Sequence, residues 1–147
     1  MKNIEIIQLV VSFIGSLCFG ILFNVRGKKL IAAAFGGFIS WGLFLLISCV
    51  ISNESITYFI VASIVSMYSE IMARVLKTPA TPIVTTSLIP LIPGGSLYYT
   101  MSYAFESNFD KFIEKAVYTL QLASALALAI IIVTAVSQFL FKKVRIK

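Results

Sequence analysis

The sequence predicts an all-α integral membrane protein with five transmembrane helices, the fourth of them discontinuous, its N-terminus outside and its C-terminus in the cytoplasm. Three observations carry that expectation. Of 147 residues, 59% are apolar and only 12% charged, with a mean hydropathy of +0.99, where a soluble domain has roughly 45–50% and 25%. The apolar residues gather in five long runs, 4–23, 30–51, 56–76, 83–105 and 116–141, each long enough to cross about 30 Å of hydrocarbon as a helix. Pro90, Pro93, Gly94 and Gly95 interrupt the fourth run near its middle. The expected organisation is one membrane domain over residues 1–147, multi-pass in a bacterial plasma or inner membrane, with the lipid bilayer as its surroundings.

The same composition excludes other classes. There is no histidine, and the 2 cysteines, Cys18 and Cys49, lie inside apolar runs. Zinc sites, histidine acid–base chemistry and a disulfide framework are therefore not expected. The reading is not an enzyme, with no metal, no cofactor and no nucleic-acid partner.

The first run follows Lys2 and precedes a basic connection. It is too long for the apolar core of a signal peptide, and its strong positive charge follows it, so it is expected to be retained. Ser12, Ser16 and Gly20 recur at every fourth residue on this run, as do Ala32, Gly36 and Ser40 on the second. Thr119, Ala123, Ala127, Ile131 and Ala135 continue the theme on the fifth. Such spacing lets helix backbones approach closely in lipid, either within the chain or against another subunit. The number of these faces favours a second subunit on at least one.

The third run carries Ala62, Ser63, Ser66, Glu70 and Arg74 down one side. An unpaired carboxylate at the depth of Glu70 is costly. Glu70 and Arg74, four residues apart, either close an intrahelical ion pair or line a watery path in which Glu70 gates or carries protons and Arg74 attracts an anion.

The fourth run holds Thr85-Thr86-Ser87, then Pro90-Leu91-Ile92-Pro93-Gly94-Gly95-Ser96. Each proline removes a helical donor and clashes with the preceding turn, so the helix should break there. Unwound backbone at mid-membrane needs protein or a polar cavity to satisfy it. A half-helix starting near Gly94 would present free amides to an anion, in the manner of the broken helices of secondary transporters. Thr86, Pro90, Pro93, Gly94, Gly95 and Ser96 are accordingly the candidate substrate-binding residues. The alternative is a proline kink used only for packing. Beyond it, the connection 106–115 has the spacing of a short interfacial helix.

Orientation follows from charge. Arg26, Lys28, Lys29, Arg74, Lys77, Lys142, Lys143, Arg145 and Lys147 fall on alternate connections, against Lys2, Lys111 and Lys115 on the other side. The positive-inside bias then puts the tail in the cytoplasm.

With Arg26-Gly27-Lys28-Lys29, Ala34-Phe35-Gly36-Gly37, Ser69-Glu70, Ala73-Arg74, Pro79 and the proline-glycine stretch in view, the chain resembles the small membrane subunit of the threonine/serine exporter family, the YjjB-like half of two-component succinate exporters. The resemblance implies export of small carboxylate-bearing metabolites, a dicarboxylate such as succinate or threonine and serine. It also implies a larger five-span partner subunit with a soluble N-terminal domain. An accessory membrane subunit that does not itself transport is the alternative.

Overall fold

In the computed structural model the chain is described over residues 2–144, with side chains described for residues 4–139. Six α-helices and one 3-10 turn make up the fold: α1 (Lys2–Leu22), α2 (Lys28–Ser48), α3 (Glu54–Val75), α4 (Thr81–Ser87), the turn Ile89–Leu91, α5 (Gly94–Phe105) and α6 (Phe109–Val144).

Among the described residues four stretches are long and apolar enough to cross a membrane: Ile4–Leu22, Lys28–Ser48, Glu54–Val75 and Phe109–Phe139. This corrects the expectation of five transmembrane helices with a discontinuous fourth. Residues 83–105 fall into helices of 7 and 12 residues around the 3-10 turn, and neither approaches the roughly 20 residues a helix needs to span. Hydropathy averaged over the run hid that division. The expected orientation rests on which faces the charged connections occupy, and α6 running parallel to α3 still sets the start of α1 and the far end of α6 at opposite ends of the bundle. Of the tail residues it used, Arg145 and Lys147 lie outside the described residues.

The helix ends show why the chain turns where it does. Asn24 adopts φ 57°; its amide donates to Ile21 and that of Val25 to Gly20, the paired bonds of a left-handed helix stop. Lys77, at φ 50°, ends α3 in the same way through bonds to Arg74 and Ala73, and Ser107, at φ 57°, ends α5 through bonds to Ala104 and Tyr103. Asn53 caps α3, its Oδ1 accepting from the Ile56 amide at 3.3 Å. Asn108 starts α6, accepting at its carbonyl from Phe112. Nothing breaks the helix between Phe109 and Lys115, so the separate interfacial helix expected there is instead the first two turns of α6.

α1 and α2 run antiparallel, and small residues bring them together. A side chain on Gly37 would collide with Ser16, and one on Gly36 with Ser87 and Tyr68. Ser12, Ser16 and Gly20 are buried, as are Ala33, Ala34, Gly36, Gly37 and Ser40. The stripes on the first two runs are thus consumed inside the chain. Ala123, Ala127 and Ala135 on α6 are exposed.

α2 is also the acceptor for its neighbours. The Tyr68 hydroxyl of α3 donates to the Ala32 carbonyl at 2.9 Å, and the Ser87 hydroxyl of α4 donates to that of Ala33 at 3.2 Å. The main core joins Val61, Ala62 and Val65 of α3 to Leu88, Leu91, Leu122 and Ala129. α6 runs parallel to α3. α5 folds back along α6, with the hydroxyls of Thr100 and Thr119 3.2 Å apart. Large apolar side chains such as Ile4, Ile7, Val11, Ile14 and Leu22 point outward from α1, as lipid requires.

Candidate functional site

α3 packs against both α4 and α6, and between these two a cavity of about 420 Å³ opens. Ser66 and Glu70 line it from α3, Thr81, Val84 and Thr85 from α4, Leu88 and Ile92 from the segment after it, and Leu126, Ile130 and Thr134 from α6. Its size falls in the range of small-molecule sites, roughly 300–1,000 Å³. The walls are mostly aliphatic, and the polar groups are few.

Each polar group owes its place to helix periodicity. Ser66 and Glu70 are one turn apart on α3, as are Thr81 and Thr85 on α4. Thr134 joins them because α6 runs alongside α3 in the same direction. Pro82 in the first turn of α4 fixes φ at a helical value where no donor is lost. This holds the short helix against the end of α3.

The Nη2 of Arg74 donates to Oε2 of Glu70 at 3.0 Å. The Glu70 side chain is 12% exposed and that of Arg74 34%, so the carboxylate turns inward and the guanidinium lies nearer the end of the helix. Ser66 is 1% exposed, and its Oγ has no hydrogen-bond partner among the described residues.

The chain leaves the α-helix at the prolines. Ile92, preceding Pro93, is extended at φ −62° and ψ 125°, as residues before proline prefer. Pro93, at φ −74° and ψ 56°, makes an inverse γ-turn, its flanking Gly94 amide donating to the Ile92 carbonyl at 2.6 Å.

The other sequence-derived site residues lie apart from the cavity. Thr86 is buried, its hydroxyl donating to the Pro82 carbonyl at 2.7 Å, and it packs near Gly20. Pro90 lines a separate apolar cleft of about 360 Å³ with Ile7, Val11 and Trp41; there the Trp41 indole donates to Gln8 at 3.3 Å. Gly94 and Gly95 are exposed, with open space where a side chain would project. Ser96 is half-buried, and its carbonyl accepts from Thr100. The structure therefore brings Glu70 together with Ser66, Thr81, Thr85 and Thr134, and not with Gly94 or Gly95. Ser66 and Thr85 were visible as neighbours in sequence. Thr134 carried no signal, because its place depends on how α6 lies against α3.

Among the described residues no group of three or more His, Cys, Asp or Glu is placed to hold a metal. Cys18 and Cys49 are free thiols.

The family described as Threonine/Serine exporter, ThrE, matches residues 8–136. The chain belongs to this exporter family. The match covers every residue that lines the cavity, and it reaches the family without singling out the succinate-exporter subunit. No curated protein and no solved structure matches the exporter chain. As a family member with four membrane-length helices among the described residues it is a multi-pass membrane protein, consistent with a plasma or inner membrane and with a role in transport.

Proposed function

We propose that the chain is a subunit of a secondary transporter that exports small carboxylate-bearing metabolites, working with a larger five-span membrane partner that has a soluble N-terminal domain. The observation that supports it most is the inward-facing Glu70, which lines a mostly aliphatic cavity and is tied to Arg74 one turn further along α3. A carboxylate and a guanidinium side by side match a zwitterion, the ammonium going to Glu70 and the carboxylate to Arg74. A dicarboxylate satisfies Arg74 equally but sets its second charge toward Glu70, which disfavours it. The pair therefore favours an amino acid over succinate, and the family description points to threonine or serine. When substrate inserts between the two side chains it replaces their mutual interaction, so neither charge is stranded.

The test is efflux of labelled threonine and succinate from preloaded cells, normalised to folded protein in the membrane. Glu70→Gln and Arg74→Gln should each lower threonine export at least tenfold at near-parental protein levels. Parental export by both variants would remove the pair from the site.

A second reading places the substrate at the start of α5. The exposed glycines leave the amides of Gly95 and Ser96 open to approach, and a helix N-terminus favours a carboxylate. Loss of export in Gly95→Leu, together with unaffected Glu70→Gln, would select it.

A further inference from the structure

Serines and threonines inside helices usually return their hydroxyl to the carbonyl one turn back. On α3 that is what Thr57, Ser63 and Ser69 do, donating to the carbonyls of Asn53, Phe59 and Val65 at 3.2, 2.8 and 2.8 Å. Ser66 departs from its neighbours: it is 1% exposed and its Oγ meets no partner. Buried polar groups without a partner are rare and expensive. Two other buried serines share this property, Ser16 and Ser40. Ser16 sits where a side chain on Gly37 would project, in a helix contact with no room for a ligand. Ser66 alone of the three lines the cavity that holds Glu70.

We infer that Ser66 is the residue that recognises the side-chain hydroxyl of a β-hydroxy amino acid in the cavity, and so sets the preference for threonine and serine over isosteres that lack it. This rests on the cavity reading given above. One helical turn, about 5.4 Å, separates Ser66 from Glu70 along α3, the reach of an amino acid whose ammonium faces the carboxylate while its hydroxyl faces the serine. A hydroxyl both donates and accepts, so Ser66 pairs with the substrate hydroxyl in either sense. An aliphatic pocket cannot reject a methyl group that replaces a hydroxyl of the same size. A buried hydroxyl left unsatisfied by the wrong substrate can. Thr85 is exposed and Thr134 half-buried, so neither shares the burial that makes an unsatisfied Ser66 hydroxyl costly.

The experiment compares efflux of threonine with valine, and of serine with alanine, from cells producing the full chain, in the parent, Ser66→Ala and Glu70→Gln. The parent should prefer threonine over valine at least tenfold. Ser66→Ala, which removes one oxygen and leaves no void, should keep parental folded levels, raise valine and alanine export, and lower the threonine-to-valine ratio at least fivefold, with the change in KM. Thermal unfolding of the chain purified together with its partner subunit gives a second measure: threonine should raise the midpoint of the parent more than valine does, and the two should act alike on Ser66→Ala. An unchanged ratio in Ser66→Ala with export lost in Glu70→Gln overturns the role of Ser66 and leaves the cavity standing. Parental threonine export in Glu70→Gln overturns both.

Discussion

Ser16 and Ser66 are the same residue type in the same state, buried and without a hydrogen-bond partner, yet they occupy opposite kinds of surroundings. Ser16 lies where α1 presses on Gly37 of α2, and no atom could be added between them. Ser66 lies against a cavity between α4 and α6. One side of the molecule spends its small residues on close backbone approach, which in lipid substitutes for the missing hydrophobic drive. The other side keeps its helices apart. What a small polar residue does in this fold is decided by whether a helix or a cavity stands opposite.

That contrast can be broken most severely at the packed side. Gly37→Leu forces a branched side chain into Ser16 and the α1 backbone, and overpacking without relief should cost about 3 kcal/mol or more. We expect most folded protein to be lost, read as detergent-stable monodisperse material, with export falling in proportion. Normal folded yield would show that α1 and α2 separate freely.

On the open side a bulky residue should do the reverse. Ile130→Trp points into the cavity and has room, so the protein should fold at near-parental levels while threonine export falls tenfold or more. Parental export would mean that the cavity is not on the substrate's route.

Gly95→Leu sharpens the comparison with the start of α5. Nothing stands within 4 Å of a side chain there, so folding should be unaffected and export should stay within about twofold of the parent. Strong loss at normal protein level would favour the second reading given above.

The smallest effect is at a helix end. Lys77 is left-handed at φ 50°, a conformation that strains a residue with a side chain and suits glycine. Lys77→Gly should stabilise the chain by up to about 1 kcal/mol, seen as a higher unfolding midpoint, with export unchanged. A lower midpoint would show that the Lys77 side chain holds the connection to α4 in place.

Membrane embedding, the first three membrane-length helices and the Glu70–Arg74 pair were legible in the sequence because each depends on residues near one another along the chain. Hydropathy set helix bounds within a few residues for α1 to α3, whose ends carry Asn24, Asn53 and Lys77. It misjudged residues 83–105, where the average stayed apolar while Pro90 and Pro93 divided the backbone into pieces too short to span. It also placed the start of the last helix seven residues late, since charges at Asp110, Lys111, Glu114 and Lys115 lower the hydropathy of a segment that is nonetheless helical. The prolines and glycines marked the break in the backbone, and the sequence reading set a binding site there, while Gly94 and Gly95 stand apart from the cavity that holds Glu70. The cavity itself needs Thr134 to lie across from Ser66, which requires the parallel course of α3 and α6, and no local pattern encodes that.

The 36 residues of α6 extend about 54 Å at 1.5 Å per residue, far more than the roughly 30 Å of hydrocarbon. With the charges of its first two turns at the headgroups, residues 116–139 still measure about 36 Å. Such a helix must lean by roughly 30–35° or draw the lipids thicker around it. Ile130 and Thr134 ride on the leaning part and form one wall of the cavity. Where the helix leans, acyl-chain length is expected to act on this wall: shorter lipids should tip the helix further and longer ones stand it upright, shifting Thr134 relative to α4.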